Sequence, residues 1–395
     1  MNSPSEDTTG QLIVQISHDD LGPLLVDGLH LECNSLSPLA DIVRGYRPGA
    51  RPANTGTSEI SQHPLFPAAA SILAQPDLRI LHRTGGGSTD VSWVSAFVKR
   101  SEDRGTIVTV TPSTERSILI QLFDSPDRYL VWWLDAMATR VEDPSPNYMP
   151  PPIRLESLVY LLHAVDAYRR ASFESMLRYT PSAEPSITPS AFAETMNASI
   201  AGRDVRWLLP SFLYLTPGLN EYSFNPGAEH LARLAEHDFL LTARKADNEA
   251  DIFIFGEAGR TMGVEFYRTW MSGVGFESTA LVSGQPRSLN RGFLAPTALA
   301  NHLFQLESDG AGGCTVNHQA LTLDELATEM KRILGKALES PTVDVAPSPA
   351  PPSTAPAAST PQPQPATPAQ RFCGQCGFAN KVGDKFCAGC GAPMV

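Results

Sequence analysis

Residues 341–370 constrain this chain more than any other stretch, because ten of the thirty are proline and only Asp344 is charged. The remainder is mostly Ala, Ser, Thr and Gln, which cannot bury enough apolar surface to offset the entropy of ordering a chain. No single core can therefore run through it, and the 395 residues must divide into a body before it and a small module after it. Proline-rich chain is extended, at roughly 3.1 Å per residue, so a disordered linker here would act as a spacer of up to about 90 Å.

The module after the linker, 371–395, carries the most legible chemistry. Cys373-Gly374-Gln375-Cys376-Gly377 and Cys387-Ala388-Gly389-Cys390-Gly391 are two Cys-x-x-Cys pairs separated by ten residues. Four thiolates so spaced can occupy the corners of one tetrahedron at about 2.3 Å from a zinc ion, provided the chain curls after each second ligand. Gly377 and Gly391 stand at those positions, where glycine accepts the backbone angles of the curl. Phe372, Phe378 and Phe386 supply nearly all the apolar content, so folding of the module should draw on metal binding. Cys373, Cys376, Cys387 and Cys390 are thus read as the ligands of one structural Zn2+, with no open position for catalysis. The segment resembles the short zinc-ribbon family found at protein termini, a resemblance that implies zinc and an interaction role but no reaction.

The body shows ordinary globular composition, 42% hydrophobic, and the chain carries a net charge of −12. That balance speaks against nucleic acid as a partner held by blanket electrostatics. Residues 1–10 are polar and acidic, without the basic and apolar regions of a signal peptide, and no apolar run approaches the roughly 18 residues of a membrane span. A cytoplasmic protein with no membrane insertion is expected, with residues 1–10 disordered.

Within 11–340 the pattern is mixed. Residues 11–17 read as a strand, 36–43 as a short helix and 47–62 as a loop. Residues 65–74 read as a helix, 78–82, 93–98, 106–110 and 118–122 as strands, and Pro126 opens a helix to Met137. A second such order is read from a helix at 228–237, strands at 239–243, 251–255, 263–270 and 280–282, and a helix at 297–306 behind Pro296. Between them 155–179, 189–201 and 205–214 read as helices, and 321–338 closes the body as an amphipathic helix. The expected fold is α+β, with two topologically similar halves, 11–150 and 203–310, joined by a helical connector at 151–202. Each half has an antiparallel sheet flanked by helices.

Catalytic constellations are sparse. Gly85-Gly86-Gly87-Ser88-Thr89 lacks the lysine of a phosphate loop, and Gly273-Val274-Gly275 lacks a third glycine, so both read as turns. His230 and His237 read as helix histidines, and His18, Asp19 and Asp20 as a solvated turn on an extended chain. Cys33 and Cys314 read as buried small hydrophobes, and Trp132, Trp133 and Trp270 as core aromatics.

The order of elements over about 11–335, with Leu73-Ala74-Gln75-Pro76-Asp77 ending a helix before the first sheet, resembles the EspG family of type VII secretion chaperones. That resemblance implies a non-enzymatic body that shields an apolar helical tip of a secreted protein. The reading is of a protein-interaction adaptor carrying a tethered structural zinc ribbon. The alternative is a transcription-linked regulator that meets nucleic acid through the ribbon, or through 205–243 as a winged helix.

Overall fold

The structure is a computed structural model that describes residues 12–47, 60, 63–85, 91–100, 103–148, 152–179, 185–219, 224, 227–244, 251–270, 272–308, 313–340, 370–372 and 379–381. The chain forms two compact units, Met1–Val345 and Ala346–Val395. Of the stretches expected to be disordered, 1–10 and 341–370, all but Gln370 lie outside the described residues, and Gln370 begins a short strand, Gln370–Phe372.

In the first unit, β1 (Leu12–Ser17) leads into α1 (His18–Pro23), a π turn (Leu24–Gly28), α2 (Ala40–Gly45) and α3 (Phe66–Ala74). Four strands follow, β2 (Leu78–Gly85), β3 (Val91–Lys99), β4 (Asp103–Thr114) and β5 (Ser117–Phe123), and then α4 (Pro126–Met137). The second run starts with β6 (Ile153–Arg154). It continues through α5 (Leu155–Leu177), β7 (Ser186–Ile187), α6 (Pro189–Ala201), α7 (Leu208–Leu215), α8 (Ala228–Glu236), β8 (Leu240–Arg244), β9 (Asp251–Phe255) and α9 (Glu257–Thr269). Four strands again follow, β10 (Val274–Val282), β11 (Gln285–Pro296), β12 (Asn301–Ser308) and β13 (Cys314–Leu321), and then α10 (Leu323–Glu339).

Ten strands make one antiparallel sheet in the order β1-β5-β4-β3-β2-β10-β11-β12-β13-β6, while β7, β9 and β8 form a small separate sheet. The order is symmetric about the β2/β10 seam. On each side four consecutive strands step outward, and the outermost pairs with a strand that came earlier in the chain. The fold is α+β as expected, but the two sets of strands share one sheet instead of forming two. Val274 faces Thr84 and Ala280 faces Leu78 across the seam. The reason is a common core: Leu78, Ile80, Phe276 and Ala280 all point to the side that α4 and α10 cover together. Trp133 and Tyr129 of α4 fill it, with His82 held between them.

Two elements differ from expectation. Residues 263–270 belong mostly to helix α9, because Gly259, Met262, Gly263 and Phe266 recur at helical spacing and are all buried. Residues 301–308 are strand β12, not part of a helix behind Pro296. Asn301, His302, Leu303 and Phe304 are buried on both faces, so the strand shows no alternation for sequence reading to detect. The second set therefore runs past residue 310, to β13 and α10.

The ends of this body are fastened by buried charge. Arg100 takes Asp77 Oδ1 through its backbone N–H (2.9 Å) and Nε (3.0 Å), and donates to the carbonyls of Ala337 and Ser340 that end α10. Thr322 closes the other end of α10 with a reciprocal capping box to Glu325.

Candidate functional site

A cleft of about 960 Å³ opens on the first half of the sheet. Its floor comes from strand ends. Ser95 of β3 pairs with Val110 of β4, and Pro112 pairs with Ile118 of β5, so Trp93, Val110, Pro112 and Ile118 fall on one face. Val110 and Ile118 are buried, whereas Trp93 is 40% exposed.

The walls are α1 and α2. Ser17 ends β1 and caps α1 by accepting the Asp20 N–H (3.1 Å), while its hydroxyl donates to Asp20 Oδ2 (2.7 Å). Asp19 and Asp20 thus sit in the first helical turn, where the backbone N–H groups favour carboxylates. The expected solvated turn at His18, Asp19 and Asp20 is in fact helix, and His18 and Asp19 both reach the cleft. Gly22 is required by the wall: a Cβ there would lie 2.7 Å from Cδ2 of Tyr46, whose hydroxyl donates to Asp27 (2.6 Å). Ile42 adds an apolar side, and Asp41, Arg47 and Glu115 complete a charged rim. An apolar floor with an exposed tryptophan, inside a polar rim, is the anatomy of a protein-docking surface.

Two further histidine clusters, one with a carboxylate, lie away from the cleft and are buried. Glu265 of α9 meets His302 Nε2 (2.8 Å), accepts the hydroxyls of Thr297 (2.5 Å) and Tyr148 (3.1 Å), and His302 Nδ1 meets His318 Nε2 (3.0 Å). Burial alone would raise the Glu265 carboxyl, but these partners, His302 first, hold it below the usual range. His318 is pushed well below the usual imidazole value by burial and then by His302. His302 and Glu265 are 0% and 1% exposed, so no substrate can reach them; the network braces α9 against β12 and β13. His82 is equally closed in: Trp133 Nε1 donates to its Nδ1 (3.0 Å), leaving Nε2–H for Tyr129 (2.5 Å), and burial lowers it to about 3.

The remaining expected residues fall as follows. Cys373, Cys376, Cys387 and Cys390 lie outside the described residues; beside them in sequence, Gln370–Phe372 and Ala379–Lys381 pair antiparallel, Phe372 opposite Ala379. His230 is buried against Ser157 Oγ (3.1 Å) and the Tyr160 ring, and His237 ends α8, so the two share no site. Cys33 and Cys314 are thiols, and each is half-buried where full burial is expected. Trp133 and Trp270 are buried and Trp132 is partly buried in the α4/α10 layer. Gly275 is a close approach and not a nucleotide turn, since a Cβ would lie 2.1 Å from the Leu215 carbonyl. Gly85 ends β2, and residues 86–89 lie outside the described residues. Of the winged helix expected within 205–243, α7 is buried on nearly every side, whereas α8 exposes Ala228, Glu229, Ala232, Ala235 and Glu236. Among the described residues no group of three or more His, Cys, Asp or Glu is arranged to hold a metal, and no helix is long and apolar enough to cross a membrane. Sequence reading placed Trp93 only within a strand; its exposure depends on β3 outrunning the cover of α1 and α2.

No protein-family model matches the chain, and no curated protein matches it in sequence. Among solved structures it is similar to the Mycobacterium tuberculosis type VII secretion system chaperone EspG5, solved in complex with a PE25–PPE41 dimer. The likeness covers 83% of this chain and 98% of that one, at 8% identity and a TM-score of 0.39, a level that carries no argument about function.

Proposed function

We propose that the body is a non-enzymatic protein-binding module that docks an apolar protrusion of a partner in the α1/α2 cleft, and that the C-terminal cysteine quartet holds a structural zinc ion on a second contact module. The observation that carries the reading is Trp93, 40% exposed on the floor of a concave apolar surface. An aromatic so placed loses water only when something fills the cleft, which is where interface energy concentrates. Asp19, Asp41 and Glu115 face Arg47 and His18 around the rim, so the protrusion is expected to carry cations at its base. Covering an apolar protrusion would make the chain chaperone-like, the role the EspG family performs for secreted proteins. Tethering a ribbon to such a body raises the effective concentration of a second weak contact without any new surface on the first.

The test is recovery of the full-length chain from its own cells, with the protein that co-elutes near one-to-one identified by mass spectrometry. Trp93→Asp is expected to lower that recovery roughly tenfold with the thermal midpoint unchanged, since the side chain supports little of the core. Equal recovery with Trp93→Asp would remove the cleft from the interaction. Metal analysis of chain purified without chelator is expected to give about one zinc per molecule, lost in Cys387→Ser/Cys390→Ser. Zinc retained by that variant would refute the ligand set.

A further inference from the structure

A second exposed apolar surface lies in the other half of the body, at the C-terminal end of α5. Phe173, Met176, Leu177 and Tyr179 are 36%, 54%, 74% and 93% exposed. Two of them are held in place by neighbours: the Phe173 ring packs edge-on against Tyr267 of α9 (4.8 Å) and Trp207 (6.3 Å), and the Tyr267 hydroxyl reaches Met176 Sδ (3.7 Å).

Three arginines and two carboxylates stand around it: Arg170 stacks on Trp207 at 3.9 Å, Arg178 reaches Glu174 at 4.0 Å, and Arg206 pairs with Asp204 at 2.7 Å. In a chain of net charge −12, this is a face where cations outnumber acids. Tyr, Trp, Met and Arg are also the residues that interfaces concentrate.

Tyr179 adds an independent sign. Its φ is +54°, the left-handed conformation in which helices usually end on glycine. A bulky side chain there gives up stability, and this one presents its ring to solvent. A position shaped only by helix termination would favour glycine.

We infer that this face docks an acidic amphipathic segment of a partner protein, its apolar residues against Leu177, Met176 and Tyr179 and its carboxylates against Arg170, Arg178 and Arg206. The inference rests on the reading of the body as a protein-binding module and adds a contact of opposite charge to the cleft. A membrane surface is the competing occupant of an apolar and basic patch. Glu174 and Asp204 inside the patch, and guanidinium groups held by stacking and pairing instead of free lysines, favour a protein.

The experiment uses full-length chain freed of any co-purified protein and a synthetic peptide of about 15 residues with Leu and Phe on one helical face and Glu on the other. Controls are the same peptide with Lys for Glu, and vesicles containing phosphatidylserine. The Glu peptide is expected to bind roughly tenfold more tightly than the Lys peptide, with an affinity that falls as salt rises. Leu177→Ser is expected to weaken it roughly tenfold. Tyr179→Gly is expected to weaken it as well while raising the thermal midpoint by roughly 1–2 °C, a pairing that a purely structural tyrosine would not show. Equal binding of the two peptides, or no binding of either, overturns the proposal. So does vesicle binding that Leu177→Ser abolishes, or a concentration-dependent dimer in sedimentation that Leu177→Asp dissolves. Partner recovery through Trp93 is a separate readout, so failure here leaves the cleft reading to its own test.

Discussion

The two halves of the sheet share a strand order and differ in what lies on their outer face. Between β1 and β2 the chain spans 18–77, and α1, α2 and α3 cover that half only in part, leaving the cleft over Trp93, Pro112 and Ile118. Between β6 and β10 it spans 155–273, and five helices, α5 to α9, close over the strands and seal Glu265, His302 and His318. Repeated topology therefore sets where strands go, while the length of the insertion ahead of each set decides whether a face is open for binding. Polar groups follow the same division. Beneath the deep cover Glu265, Thr297, His302 and His318 satisfy one another, and beside the shallow one polar groups form a rim.

The largest expected break of this contrast is Asp166→Ala in α5. Its carboxylate accepts the N–H groups of Leu208 and Leu209, which start α7, and pairs with buried Arg169 (each 2.9 Å). Removal leaves Arg169 charged and unpaired under the helices, a loss of about 3–5 kcal/mol. Denaturant unfolding is expected to show it, with the cleft side of the sheet the last to lose hydrogen-exchange protection. A loss below about 1 kcal/mol would mean that α7 needs no anchor.

Arg100→Ala tests whether the halves are fastened together. It removes the links from Asp77 to the end of α10, and should cost about 2–3 kcal/mol in the same measurement. An unchanged midpoint would leave the coupling to the seam strands and the shared α4/α10 core.

Acid sharpens the comparison more gently. Burial lowers His82 to about 3 and His163 to about 4, and His318 is also held low, so all three are neutral when folded and protonate on unfolding. The folded state binds fewer protons, so their contribution is complete above the unfolded value of about 6.5. As pH falls it is lost, to about 4 for His163 and about 3 for His82, each at up to ~1.4 kcal/mol per pH unit. Glu265 acts in the same direction lower down, as pH falls through its depressed value. Unfolding midpoints between about pH 7.5 and 5 are expected to fall. His163→Gln, which keeps a donor toward the Phe192 carbonyl, should flatten the slope by one histidine. A slope unchanged in that variant would show that His163 is not buried neutral.

Much of the first half is legible in the amino-acid sequence. Strands at 78–82, 93–98, 106–110 and 118–122 announce themselves through β-branched and alternating residues, and Pro126 with Ser125 as cap marks the start of α4. The second half is less so, for identifiable reasons. Asn301 to Phe304 are buried on both faces and erase the alternation that identifies a strand. Val264, Phe266 and Tyr267 suggest a strand until Gly259, Met262 and Gly263 are seen to share one buried helical face, Gly263 against Tyr168 of α5 and Gly259 against the Phe239 backbone. The cleft is hidden from sequence reading because its parts come from five elements, and the helix over His18–Asp20 depends on a cap from the end of β1. The arginine-rimmed face at α5 leaves a single local trace, a tyrosine followed by threonine and proline where a helix stops.

What this chain encodes within a few residues is the spacing of the four cysteines, the proline stretch that no core can cross, the capped helices and the alternating strands. These signals are local because residue spacing, φ restriction and side-chain period act over one or two turns of chain. The meeting of β2 and β10 in one sheet, the opening over Trp93 beside the closure over Glu265, and the exposed aromatic face at the end of α5 arise only when the body packs. They depend on which surfaces share a core, a competition among all the apolar faces of the body that no short stretch can carry.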